Sequence, residues 1–111
     1  MSDEPPFEFR IEERRRGDTV ILTLHGELDL VSSEQVNARL EELRAAGRPV
    51  LLDLDALDFM DSSGLRLVLN AAEASDASGW PFSVTRGPDQ VQRLFESTCV
   101  TARLPIVPRP G

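Results

Sequence analysis

Lysine is missing from the 111 residues: all 12 basic side chains are arginine, and there is one cysteine and one histidine. A P-loop, a protein-kinase active site, a Schiff-base enzyme and a receiver domain with its usual lysine each need an ammonium group, so all four are excluded. Zinc sites built from histidine and cysteine are excluded with them, and Cys99 has no second cysteine with which to close a loop. No run approaches the roughly 18 apolar residues of a membrane span, and Met1 to Pro6 are acidic and proline-containing. Neither a span nor a signal peptide is therefore expected, and the expected location is the cytoplasm, where an unpaired thiol is stable. The 19 acidic residues leave a formal charge of −7, which repels phosphodiester backbones and anionic headgroups, so no direct nucleic-acid partner is expected.

What is present is ordinary globular material, 41% hydrophobic and 28% charged. The length suits one domain, expected over residues 1–111 with an ordered core from about 7 to 107. Phe7, Phe9 and Ile11 alternate with Glu8, Arg10 and Glu12, the period of two of a half-buried strand. Arg14 to Asp18 breaks that pattern and reads as a solvated turn with Arg14, Arg15 and Arg16 at its tip; Thr19 to Leu24 then completes an antiparallel hairpin. Ser32 and Gln35 have the spacing of a capping box, so a helix is expected to start there, bury Val36, Leu40 and Leu43, and stop at Gly47. The nearly continuous apolar run from Pro49 to Leu54 reads as the central strand.

A second helix is expected over Leu65 to Ala77, closed by Gly79. Leu65, Val68, Leu69 and Ala72 form one stripe of it, and Leu67, Ala71 and Ala74 form another, which reads either as contact with a neighbouring helix or partial exposure, or as a surface that receives a partner. Pro81 to Thr85 reads as a strand, and Pro88 as the first residue of a helix with Val91, Leu94, Phe95 and Thr98 on one face. Leu104 to Val107 is a candidate last strand. The order ββαβαβα with a terminal strand predicts an α/β fold: a mixed, mostly parallel sheet of four to five strands, an opening antiparallel hairpin and three to four helices.

Chemistry is expected where Leu54 to Gly64 joins the central strand to the second helix, since open α/β sheets gather ligands at the carboxyl ends of strands. Asp61, Ser62 and Ser63 are all N-cap types, so one reading is that they only tie down the helix. The other is a hydroxyl at a helix N-terminus, where free amides and the positive dipole end accommodate a phosphate. Enzyme readings fit less well. Asp53-Leu54-Asp55 suggests a magnesium-dependent phosphatase, which also needs the absent lysine. Ser62, His25 and Asp29 offer a triad, but without a Gly-x-Ser-x-Gly elbow. Asp55, Asp58 and Asp61 lack the spacing of a calcium loop. No catalytic residue and no metal ligand is assigned. His25 reads as a structural imidazole, Cys99 as a small core filler, Trp80 as a cap on the edge of the core, and Pro105 to Pro108 as a terminal strand that then frays.

Two stretches, Gly26-Glu27-Leu28-Asp29 and Phe59-Met60-Asp61-Ser62-Ser63-Gly64-Leu65, resemble the two signatures of the STAS domain in bacterial anti-sigma factor antagonists. The element order agrees with that family from about residue 7 to 107. The resemblance implies a switch in transcription regulation and not an enzyme. In that family the unphosphorylated antagonist binds an anti-sigma factor, a serine kinase of the histidine-kinase-like ATPase fold, which then frees its sigma factor. The kinase phosphorylates the first serine after the aspartate, which abolishes binding, and a PP2C-type phosphatase resets the switch. Carried over, the acceptor is Ser62; Asp61, Ser63 and Gly64 shape its loop, and Asp29 is expected on the same face. Ser63 is also a hydroxyl, so the choice of Ser62 comes from the resemblance. No cofactor is implied for this chain, because ATP is bound by the partner kinase. The alternative is a STAS scaffold or accessory subunit, of stressosome or lipid-transport type, that does not act through sigma release.

Overall fold

Aliphatic and β-branched residues from Thr19 onward sustain one long strand that every neighbouring element uses. In the computed structural model, which describes residues 9–108, this strand, β2 (Thr19–Leu28), pairs antiparallel with β1 (Arg10–Arg16). Phe7 lies outside the described residues, whereas Phe9 and Ile11 pack against the core. The three arginines expected at the hairpin tip instead continue β1, with Arg14, Arg15 and Arg16 opposite Ile21, Val20 and Thr19, and the turn is confined to Gly17 and Asp18. β1 is an edge strand exposed along nearly its whole length, so backbone pairing holds it, and its charges discourage pairing with another chain.

Pro49 to Leu54 supplies the central strand as expected. β3 (Val50–Asp53) runs parallel to β2 on one side and, on the other, to β5 (Phe82–Thr85), which in turn pairs with β6 (Ile106–Val107). The residues between β3 and the second helix are not simply a loop. Leu57–Met60 forms β4, parallel to the end of β2, which makes six strands where four to five were expected. In β4 only the two end residues are buried and the middle pair is exposed, so it carries no alternation to read.

The helices α1 (Leu30–Ala45), α2 (Ser62–Ser78) and α3 (Asp89–Ser97) fill the crossovers. α1 begins three residues before the helix that a Ser32 cap would open, and α2 begins at Ser62 and not Leu65. Pro88 is the N-cap of α3, one residue outside it. The predicted apolar faces are otherwise the buried ones: Val36, Leu40 and Leu43 of α1, Leu65, Val68 and Ala72 of α2, Val91 and Phe95 of α3. The second stripe of α2, through Leu67 and Ala71, is buried as well, and α2 packs on α1. Thr98 of the predicted α3 face is exposed.

Polar residues beneath the sheet's carboxyl end are structural. Asp53, buried, accepts hydrogen bonds from Thr23 Oγ1 (3.2 Å), Thr85 Oγ1 (3.3 Å) and the Asp55 amide (3.0 Å), while Asp55 accepts from the Gly87 amide (3.1 Å). These bonds tie three adjacent strands together and occupy the two carboxylates that suggested a phosphatase. Trp80 closes one edge of the core as expected, stacked on Phe82 at 5.3 Å with its indole N–H donating to the Arg48 carbonyl at 2.7 Å. Cys99 is not a core filler. It is exposed with φ 59°, in the left-handed turn that ends α3, and the following Val100 turns into the core in its place.

Candidate functional site

β2 and β4 run in parallel to a shared end, with Glu27 opposite Phe59 and Leu28 opposite Met60. The next residue of each is an aspartate, Asp29 and Asp61, and each aspartate caps a helix. The Asp61 amide donates to the Leu28 carbonyl at 3.1 Å, so the starts of α1 and α2 are stitched together. A register shift between Gly26 and Glu27, with Gly26 at φ 96°, lets one strand serve β3 first and β4 beyond it.

At α1, Asp29 Oδ1 accepts from the Ser32 amide at 3.0 Å, and the Asp29 amide donates back to Ser32 Oγ at 2.8 Å. This is a capping box, but with Asp29 as the cap and Ser32 as its third residue. The Ser32 hydroxyl is shared between the Glu27 carbonyl at 2.8 Å and the Asp29 carboxylate at 3.0 Å. The Ser32 amide first, and its hydroxyl second, hold the Asp29 carboxyl below the usual carboxylate range.

At α2, Asp61 Oδ1 accepts from the amides of Ser63 (2.8 Å) and Gly64 (3.3 Å). The aspartate thus secures the helix without using either serine hydroxyl. Gly64 is buried, and a Cβ there would lie 2.7 Å from Met60 Cγ and 2.9 Å from Leu28 Cδ2. Glycine is what lets the helix start sit this close to the strand ends. Ser62, the first helical residue, is exposed, and its hydroxyl has no hydrogen-bond partner among the described residues. Ser63 is half-buried.

Three large apolar side chains are exposed among the described residues, Leu30 (65%), Val31 (66%) and Phe59 (41%), and all belong to these two junctions. Between α1 and α2 runs an open cleft of about 290 Å³ whose lining includes Leu30, Ser33 and Asn37 on one side and Ser62, Arg66 and Asn70 on the other. The sequence reading missed Leu30, Val31, Phe59 and Arg66. The first two had a visible signal, since they are apolar yet fall off the stripe defined by Val36, Leu40 and Leu43.

Of the predicted residues, Asp29, Asp61, Ser62, Ser63 and Gly64 come together. His25 does not join them: its Nε2 meets Glu12 at 2.9 Å, and with Asp29 held in the α1 cap no Ser-His-Asp triad is assembled. Asp58 is exposed on β4 and Asp55 is turned to Gly87. Among the described residues no three His, Cys, Asp or Glu side chains are grouped to hold a metal, and no helix is long and apolar enough to cross a membrane.

The model of the STAS domain matches residues 10–109. The chain belongs to the STAS family. Both stretches that carry the family resemblance, Gly26 to Asp29 and Phe59 to Leu65, fall at the paired helix starts. Among STAS relatives, an anti-sigma F factor antagonist of Paenibacillus polymyxa is 30% identical over 99 residues, covering 87% of this chain and 85% of that protein. An anti-sigma factor antagonist from Mycobacterium paratuberculosis shares the fold at a TM-score of 0.82 and 20% identity, covering 95% of this chain and 90% of that one. The antagonist SpoIIAA in its unphosphorylated form is similar at a TM-score of 0.73 and 25% identity, over 93% of this chain and 89% of that one.

Proposed function

We propose that this STAS protein is a cytoplasmic anti-sigma factor antagonist that acts by binding and not by turnover. Its unphosphorylated form binds an anti-sigma factor serine kinase and thereby frees a sigma factor. The observation that carries this reading is Ser62: exposed, with a hydroxyl free of hydrogen bonds to the described residues, and lining a cleft with the exposed Leu30 at the paired junctions that also carry the exposed Val31 and Phe59. Such a surface suits a protein partner.

The partner kinase, which holds the ATP, transfers the γ-phosphoryl group to Ser62 Oγ. A new O–P bond forms, the bond to the β-phosphate oxygen breaks, ADP leaves, and the hydroxyl proton passes to a base of the kinase. The antagonist needs no cofactor of its own. The modification adds about −1.5 to −2 charge at the centre of the docking face, beside the carboxylate of Asp61. Repulsion and desolvation then weaken docking, and each 1.4 kcal/mol or so is tenfold in affinity. The fold is spared, because Asp61 and Gly64 hold the start of α2 without the Ser62 hydroxyl. A PP2C-type phosphatase resets the cycle.

The test is a pull-down from the native cytosol with wild-type, Ser62→Ala and Ser62→Asp baits, the retained proteins identified by mass spectrometry. Retention of an ATPase-fold serine kinase by wild type and Ser62→Ala but not by Ser62→Asp is the expected result. If all three retain the same protein and it is not a kinase, the antagonist reading fails, and a STAS scaffold or accessory role replaces it.

A further inference from the structure

We propose that Arg66 is the internal counter-ion of phosphorylated Ser62, so that modification folds this cation into the cleft between α1 and α2 and withdraws it from the docking face. The inference rests on reading Ser62 as the phosphate acceptor. Arg66 stands four residues after Ser62 on α2, the spacing at which helical side chains meet, and both line the same cleft. Its guanidinium is exposed and has no ion-pair partner among the described residues, unlike Arg39, Arg44, Arg86 and Arg103, each of which faces a carboxylate. A planar fork of N–H donors is the side chain best shaped to take a phosphate on two oxygens.

A second observation in the cleft points the same way. Ser33 of α1 is only 7% exposed, lines the cleft, and has a buried hydroxyl with no hydrogen-bond partner among the described residues. An unpaired buried hydroxyl is costly and is suited to an acceptor brought into the cleft. Asn37 and Asn70 add amide donors to the same lining. Against them stand the carboxylates of the same two junctions: Glu34 in the cleft wall, the caps Asp29 and Asp61, and the exposed Glu27 of β2 and Asp58 of β4. The acids alone would raise the second ionisation of a phosphoserine. Arg66 and the helix start lower it, and only the contribution of Arg66 disappears when that residue is changed.

The experiment uses full-length protein with phosphoserine installed at position 62 during translation, so no kinase is involved. The phosphate is titrated by phosphorus NMR between pH 4 and pH 8 in the wild-type background, in Arg66→Gln and in Arg66→Lys. The expected result is a second ionisation about half a pH unit or more lower in wild type than in Arg66→Gln, with Arg66→Lys between them and the gap closing in molar salt. Unphosphorylated wild type and Arg66→Gln should melt together, whereas the phosphorylated Arg66→Gln protein should melt below phosphorylated wild type. Coincident titrations in wild type and Arg66→Gln overturn the pairing. So does a lower melting temperature of unphosphorylated Arg66→Gln with no further loss on phosphorylation, which makes Arg66 a fold residue. A kinase that leaves Ser62 unmodified overturns the antagonist cycle but not the pairing, so the two failures are distinguishable.

Discussion

The two helix starts at the end of the β2–β4 pair look alike and serve different ends. Both are capped by an aspartate that directly follows a strand, yet at α1 the serine within the capping turn is consumed by it and at α2 the leading serine is left out. Ser32 is buried and engaged with Asp29 and Glu27, whereas Ser62 is exposed and its hydroxyl is bonded to none of the described residues. The third helical residue differs too. Ser32 carries its side chain there without difficulty, while at α2 the same position is Gly64, pressed against Leu28 and Met60. One junction uses its serine hydroxyl to build the fold; the other is held by an aspartate and a closely packed glycine and leaves the hydroxyl of Ser62 out of the cap.

The sharpest way to break this comparison is at Gly64. Gly64→Val pushes a branched side chain into the Met60 and Leu28 atoms that already lie under 3.0 Å from a Cβ, and should cost about 2 to 3 kcal/mol in urea unfolding. A loss under about half a kcal/mol would mean that the close approach does not constrain the junction. Next comes Ser32→Ala, which strands the Asp29 amide and removes the bond to Glu27. About 1 to 2 kcal/mol is expected, measured the same way.

A smaller effect separates the two caps by pH. Because hydrogen bonds from Ser32 depress the Asp29 carboxyl in the folded state, its ionisation contributes stability that is present above its unfolded value and lost as the pH falls through the folded one. Asp29→Asn keeps an acceptor oxygen but no charge. The stability gap between wild type and this variant should therefore narrow from about pH 5 down to about pH 2, followed by circular dichroism in urea. A gap independent of pH would contradict the assignment. Smallest of all is Ser62→Ala, which should leave stability within about 0.5 kcal/mol of wild type, in contrast to Ser32→Ala.

Residue types alone located the segment Leu54 to Gly64 and marked Asp61, Ser62 and Ser63 as cap types; the choice of Ser62 and the link to Asp29 came from the family resemblance, and the misreadings have physical causes. Asp29-x-x-Ser32 and Ser32-x-x-Gln35 both have the spacing of a capping box. What decides between them is that β2 runs on to Leu28 and delivers Asp29 to the helix start, a tertiary fact invisible in the local pattern. β4 was missed because a four-residue strand with its middle pair exposed shows neither alternation nor an apolar run. Arg14 to Arg16 read as a turn because β1 lies at the sheet edge, where pairing needs no buried side chains. The central strand and the buried faces of α1 and α2 were read correctly, since burial on both faces of a sheet and on one stripe of a helix leaves a strong periodic signal. The convergence of Asp29 with Asp61 to Gly64 was expected from family resemblance, and the β2–β4 pairing supplies its physical reason.

The central claim is that Ser62 governs docking without supporting the fold. The most direct test is calorimetric titration of the kinase retained by the wild-type bait with two proteins, wild type and the form carrying phosphoserine at 62, alongside thermal melts of both. At least about tenfold weaker binding by the phosphorylated form, with melting temperatures within about 2 °C of each other, is the predicted result. Equal affinities, or a loss of affinity matched by a fall in melting temperature, would contradict it.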